Sequence, residues 1–415
     1  MSSDATAPPA VRYPSQARRE TACYPRQVKW ACGLSRRVDA RQALAEATDS
    51  VLEQLGGPPD LALVFVSDHY AAALDRIPGW AQSLLSAQHL LGCSSSGVVG
   101  AGKEVERSEA ISIIGARLPG VRVAPFHLAS VPRGPEPEIW LELTGLRPDD
   151  ATGFVLIGDP VSLEAELLLK RIDGAYPQVP KIGGLLGGVQ KAGEAALFLG
   201  DRRLDHGVLG IGFEGDLALE TIVAQGCRPI GEPMIITRCR DSVIYELNVG
   251  RPVDALQKTF EKLEPRDQEL CRHSLFLGIE MTGSSHSYTH GDFLIRTLGG
   301  LEPNGGAMAV QGTFSNYQVV QFHLRDARSS AADLEKRLSQ VKRPDAAAAL
   351  LFSCVGRGQG LYGVANHDVD MFSRQVGPMP IAGFFANGEI GPIGGQTFLH
   401  GYTSVFGVFS PRGSG

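Results

Sequence analysis

The sequence lacks any run of about 18 apolar residues, so no membrane-spanning helix can be read from it. It also lacks a basic N-terminal segment running into an apolar one, so no signal peptide is expected. No two of its seven cysteines form a CxxC pair. An odd, scattered set of thiols excludes a disulfide scaffold and suits a reducing cytoplasm. Positive charge is in short supply as well: 39 Lys and Arg against 45 Asp and Glu leave a net charge of −6. With no basic stripe, nucleic acid is not expected as a partner. Glycine is what the chain has in plenty, 50 of 415 residues, against roughly 7% in average proteins. At this length, two or three domains can each bury a core.

A tail rich in Ser, Ala, Pro and Arg occupies residues 1–26. Apolar spacing predicts a helix over 39–55, stopped by Gly56-Gly57-Pro58. The run 61–66 then reads as a strand buried on both faces. A glycine-rich segment begins at Gly92, 26 residues beyond Val66. The same order recurs: strand 154–157 is followed by helical spacing and by Gly183, again 26 residues on. The last 70 residues copy it, with a strand at 347–352, a helix at 368–376, a glycine segment at 383–388 and closing strands at 397–409. The expected fold is α/β. Repeated strand, helix, glycine turn and strand-pair units form mixed sheets flanked by helices in two domains, 27–245 and 246–410. Residues 274–324 match the repeat poorly. Helices are expected at 252–263 and 330–341, the second with Ser330 and Asp333 as a capping box.

Three motifs bear on chemistry. Gly97 to Lys103 fits GxxxxGK, but Glu104 stands where a hydroxyl would hold magnesium, and Glu106 and Glu109 repel a triphosphate. No cofactor is expected. His286 and His290 are four apart in a Ser- and Gly-rich stretch without helical context, so no metal site is expected. The segment Ser353-Cys354-Val355-Gly356-Arg357-Gly358 ends a buried strand on a thiol and brackets an always-charged guanidinium with glycines. Cys354 reads either as a ligand contact or as a small buried hydrophobe. Arg357 reads either as an anion fork or as a structural partner of Glu389. Arg228, in Gln225 to Gly231, sits on another apparent turn, and His400 lies inside a strand pattern.

Together these stretches resemble the FIST N and FIST C domains. The N-terminal likeness lies in Leu63-Val64-Phe65, Gly-Cys-Ser-Ser-Ser-Gly-Val-Val at 92–99 and Gln-Gly-Cys-Arg-Pro-Ile-Gly at 225–231. The C-terminal likeness lies in Phe-Ser-Cys-Val-Gly-Arg-Gly at 352–358, Gly-Phe-Phe-Ala-Asn-Gly-Glu-Ile-Gly-Pro at 383–392 and Leu-His-Gly-Tyr-Thr at 399–403. The resemblance implies an intracellular sensory module that binds a small ligand, an amino acid or a related metabolite. It also implies a separate signalling partner, because no output domain or F-box flanks the pair. Val98 departs from the family, standing where many relatives carry a glutamate that matches Glu389. The expected ligand set is Ser94, Ser95 and Ser96 from the first glycine segment, with Arg228, Cys354, Arg357, Phe385, Asn387, Glu389 and His400. In that arrangement Glu389 faces either a ligand ammonium or Arg357. The competing reading is an enzyme with Cys354 as nucleophile and His400 as base. Gly356 and Gly358 argue against it, since they deny the thiol a helix dipole.

Overall fold

The computed structural model describes residues 28–281, 288, 290–302, 305–341 and 345–412; the tail expected at 1–26 and His286 lie outside the described residues. Strand β1 (Lys29–Ser35) leads into helix α1 (Ala40–Leu55). The Asp39 carboxylate starts that helix by accepting the Gln42 N–H at 2.9 Å, and Gly56 ends it at φ 76°. Leu44, Val51 and Leu55 share its buried face, each stabilising the fold by about 1.5–3 kcal/mol. Strand β2 (Leu61–Ser67), buried throughout, then crosses by α2 (Ile77–Leu85) to β3 (His89–Ser95). A hairpin of β4 (Gly97–Gly100) and β5 (Lys103–Glu106) precedes β6 (Ile111–Arg117) and β7 (Val121–Leu128).

The second unit opens with α3 (Pro137–Thr144). It continues through β8 (Ala151–Gly158), α4 (Ala165–Ala175) and β9 (Lys181–Leu186). Strands β10 (Leu197–Leu199), β11 (Arg202–Leu204), β12 (Val208–Gly215) and β13 (Leu217–Gln225) close it. Next come β14 (Cys227–Arg240), β15 (Val243–Leu247), α5 (Pro252–Glu261) and α6 (Pro265–Ser274). They are followed by β16 (Leu275–Glu280), β17 (Phe293–Leu301), β18 (Met308–Val310) and β19 (Val319–Arg325). Helix α7 (Ala327–Leu338) leads to the third unit, β20 (Ala348–Cys354), α8 (Gly358–Tyr362), α9 (His367–Gln375) and β21 (Ile381–Ile393). Strands β22 (Gln396–His400) and β23 (Thr403–Pro411) end the chain.

The three units are real, and their glycine segments are strands rather than the expected turns. In each, two strands run parallel across a helical crossover, with Val64 opposite Gly92, Leu156 opposite Gly183 and Leu351 opposite Gly383. A Cβ at those glycines would lie 2.0, 1.8 and 1.8 Å from the carbonyl oxygen of the opposite residue. Glycine is needed because the neighbouring backbone occupies that space.

These strands build a six-stranded sheet in the order β1-β6-β2-β3-β10-β11 and an eleven-stranded sheet along β13-β23-β20-β21-β9-β8-β12-β7. The largest core lies between the two sheets and includes Phe65, Leu91, Phe352 and Phe384. Strands β14 to β19 close into a separate barrel, which is why residues 274–324 match the repeat so poorly. The capping box expected at Ser330 is also corrected. Asp326 caps α7, whereas Ser330 and Asp333 turn inward to Arg357 and to the Gln225 N–H.

Candidate functional site

The glycine segments meet at one buried junction. The Ser95 hydroxyl donates to the Phe385 carbonyl at 2.6 Å and accepts the Gly187 N–H at 2.8 Å, so one side chain ties the three units together. Ser94 and Phe385 are buried, Ser96 is partly covered and Asn387 is exposed. The GxxxxGK stretch is the β4–β5 hairpin, whose first strand pairs antiparallel with β21.

Beneath this junction lies a polar cluster built by the third unit. Arg357 is fully buried, and its fork holds Asp368 through Nε at 3.0 Å and Nη2 at 3.1 Å. Its carboxylate partner is therefore Asp368 on α9, and the alternative of a structural bridge to Glu389 is corrected. Ser353, Ser404 and His367 also point to the Asp368 carboxylate. Burial alone would raise the Asp368 pKa. Arg357 and these donors outweigh burial and hold it below the usual carboxylate range.

Glu389 accepts N–H donors from Gly388 at 3.3 Å and Thr403 at 3.1 Å, and burial pushes its pKa up to about 8. The Cys354 thiol lies against it and is raised well beyond an ordinary thiol by burial and by the Glu389 charge. The His400 Nε2 is 3.0 Å from the Gly391 carbonyl, and burial brings its pKa down to about 4. Arg228 lies on β14, not on a turn, and binds Asp267 at 2.6 Å.

The β4–β5 hairpin clasps the third unit. The Glu104 Oε1 accepts the Val369 N–H and the Asn366 Oδ1 accepts the Glu104 N–H, both at 2.8 Å, while Glu106 accepts the Gln359 N–H at 2.8 Å. The Glu104 Oε2 is buried without a partner among the described residues. Burial and the nearby Asp368 raise its pKa to about 8.

A cleft of about 660 Å³ opens between α4, β22 and the barrel strand β17. Arg296, mostly buried, reaches Glu166 at 2.5 Å and the Leu399 carbonyl at 3.2 Å. Lys170, Asp173, Glu280 and Gln318 add polar groups. Asp173 is held by the Lys181 ammonium at 2.9 Å and by Thr397. Lys181 is itself buried and saturated by the Tyr176 and Val179 carbonyls. The sequence reading missed this cleft, although two signals were present. Glu166, Lys170 and Asp173 recur at helical spacing on α4, and Arg296 interrupts an apolar strand. Of the expected residues, His400 alone follows directly on the cleft wall, after Phe398 and Leu399.

Among the described residues no helix is long and apolar enough to cross a membrane, and no group of three or more His, Cys, Asp or Glu could hold a metal ion. An uncharacterized protein of Mycobacterium tuberculosis is 34% identical over 385 residues, covering 91% of this chain and 98% of its own length. Another, from Mycobacterium bovis, is 34% identical over 378 residues, covering 89% and 96%. Looser structural likeness extends to a cyanuric acid hydrolase from A. caulinodans, with a TM-score of 0.37 and 8% identity over 93% of this chain and all of that one. A second cyanuric acid hydrolase structure gives a TM-score of 0.33 at 10% identity over 92% and 99%. Neither likeness is close enough to assign chemistry. Residues 60–249 match the FIST N domain and residues 252–392 the FIST C domain, and the chain belongs to this family.

Proposed function

We propose that the chain is a cytoplasmic sensory module that binds a small zwitterionic metabolite, an amino acid or a derivative, in the cleft between α4 and the barrel. Its domains belong to a family that is generally sensory. One observation carries the placement: Lys170 on α4 and Glu280 on the barrel strand β16 line the same cleft, beside the Arg296–Glu166 pair. Cations there suit a ligand carboxylate, and the acids suit its ammonium. The signal passes to a separate partner protein. The environment of Cys354 supports this reading over the enzyme alternative. A thiol raised by burial and an adjacent carboxyl supplies little thiolate.

A thermal-shift screen of amino acids, dipeptides and small metabolites tests the proposal. A ligand at 100 times its dissociation constant adds about 2.7 kcal/mol of stability. Lys170→Ala and Glu280→Gln should each weaken that ligand about tenfold or more without changing the ligand-free melting point. Tight binding that ignores both substitutions would place the ligand elsewhere and refute the cleft.

A further inference from the structure

A second opening, of about 460 Å³, lies outside the cleft and the junction and is lined in part by Asp39, Arg41, His69, Arg76 and Trp80. Its position follows from the topology. Strands β1 and β2 both run antiparallel to β6, one on each side, so they point the same way. The segments leaving their carboxyl ends wall the opening, the usual ligand location in α/β sheets.

Trp80 stands half-buried on α2, with the Arg41 guanidinium carbon 5.8 Å and that of Arg76 5.1 Å from its ring centre. Each such contact at an exposed site stabilises only weakly. The acids at or near the opening have partners of their own, and Asp39 itself lines it. Asp39 caps α1, Asp68 faces His69 at 3.1 Å and Asp75 holds Arg203 at 2.7 Å. Neither Arg41 nor Arg76 has a carboxylate at ion-pair distance among the described residues; the Arg76 side chain donates a hydrogen bond to the Ala72 carbonyl.

We propose that this opening binds the phosphate group of a small phosphate ester. Two guanidinium forks, each offering paired N–H donors, suit a tetrahedral dianion. Trp80 would hold both forks in place.

Trp80 is also the reporter. The other two tryptophans, Trp30 and Trp140, are buried. The full-length protein is titrated with glycerol phosphate and with inorganic phosphate, at ionic strength fixed by sodium chloride. The expected result is a saturable change in tryptophan fluorescence with glycerol phosphate that is absent from Trp80→Phe. Arg41→Gln and Arg76→Gln should each weaken binding about tenfold or more, and the Lys variants should recover part of it. An equal response to inorganic phosphate would assign the recognition to the phosphate alone. The proposal fails if no saturable change occurs up to about 10 mM. It also fails if succinate gives the same response, or if both Gln variants bind like the parent while keeping its melting point.

Discussion

Glu104 lies in the hairpin that locks the first unit onto the third, and replacing it by Gln tests whether its buried carboxyl is protonated. An exposed glutamate titrates near pH 4.3, whereas Glu104 in the folded chain holds its proton up to about 8. Between those values the folded state binds a proton that the unfolded state has released. The stability this provides is fully present below about pH 4.3 and is lost as pH rises through about 8. At about 1.4 kcal/mol per pH unit, the loss across that interval is on the order of 5 kcal/mol. Glu104→Gln is neutral at every pH and keeps the oxygen that accepts the Val369 N–H. It should match the parent near pH 5 and exceed it by about 2 kcal/mol or more near pH 8.5. Urea unfolding at several pH values, followed by far-UV circular dichroism and fluorescence, measures this. Glu389 keeps its own raised pKa in the variant, so a shallower slope is expected and not a flat one. Parallel slopes for parent and variant would refute the argument.

Asp368→Asn strands the buried Arg357 charge and should cost about 3–5 kcal/mol in urea unfolding; a cost under about 1 kcal/mol would show that the pair is solvated. Gly383→Ala puts a methyl 1.8 Å from the Leu351 carbonyl oxygen and should lower stability by about 3 kcal/mol or more, read from soluble yield and melting. Normal melting would mean that β20 and β21 can separate at no cost. Cys354→Ser should retain the fold and bind the cleft ligand within about tenfold of the parent. Turnover of a substrate with acylation of Cys354 in the parent would instead establish the enzyme.

Continuous apolar runs such as 61–66 were legible as strands because both their faces are buried, and α1 was legible because Asp39 and Gly56 mark its ends. The glycine segments misled. Gly-rich sequence is the usual mark of a turn, and a strand uses it only when a neighbouring backbone comes too close for a Cβ, a demand seen in the Gly183–Leu156 approach. The barrel was illegible because β14 is broken by irregular register between Ile230 and Met234 and again beyond Ile236. Those breaks erase the alternation by which strands are read. Arg357 was recognised as important, but Asp368 was not among the partners expected for it. Asp368 sits in the first turn of α9, where an acidic residue has a sufficient local explanation as a complement to the helix dipole. The cleft draws Glu166, Arg296 and Leu399 from three distant parts of the chain, a juxtaposition only the fold creates.

The eleven-stranded sheet determines what kind of motion sensing can use. Strand β21 of the FIST C segment is laced to β9 of the FIST N segment, and β23, beyond the FIST C match, to β13 along the whole of Leu217–Gln225, so both segments are sewn into one slab. A hinge between them would tear open backbone ladders, and either segment expressed alone would bare a raw strand edge prone to self-association. The barrel is different, because it closes on itself and meets the slab across the cleft. A ligand seated there as proposed would act as a strut between a stiff plate and a separate drum, and the tilt of the drum would be the movement left for the proposed partner protein to sense.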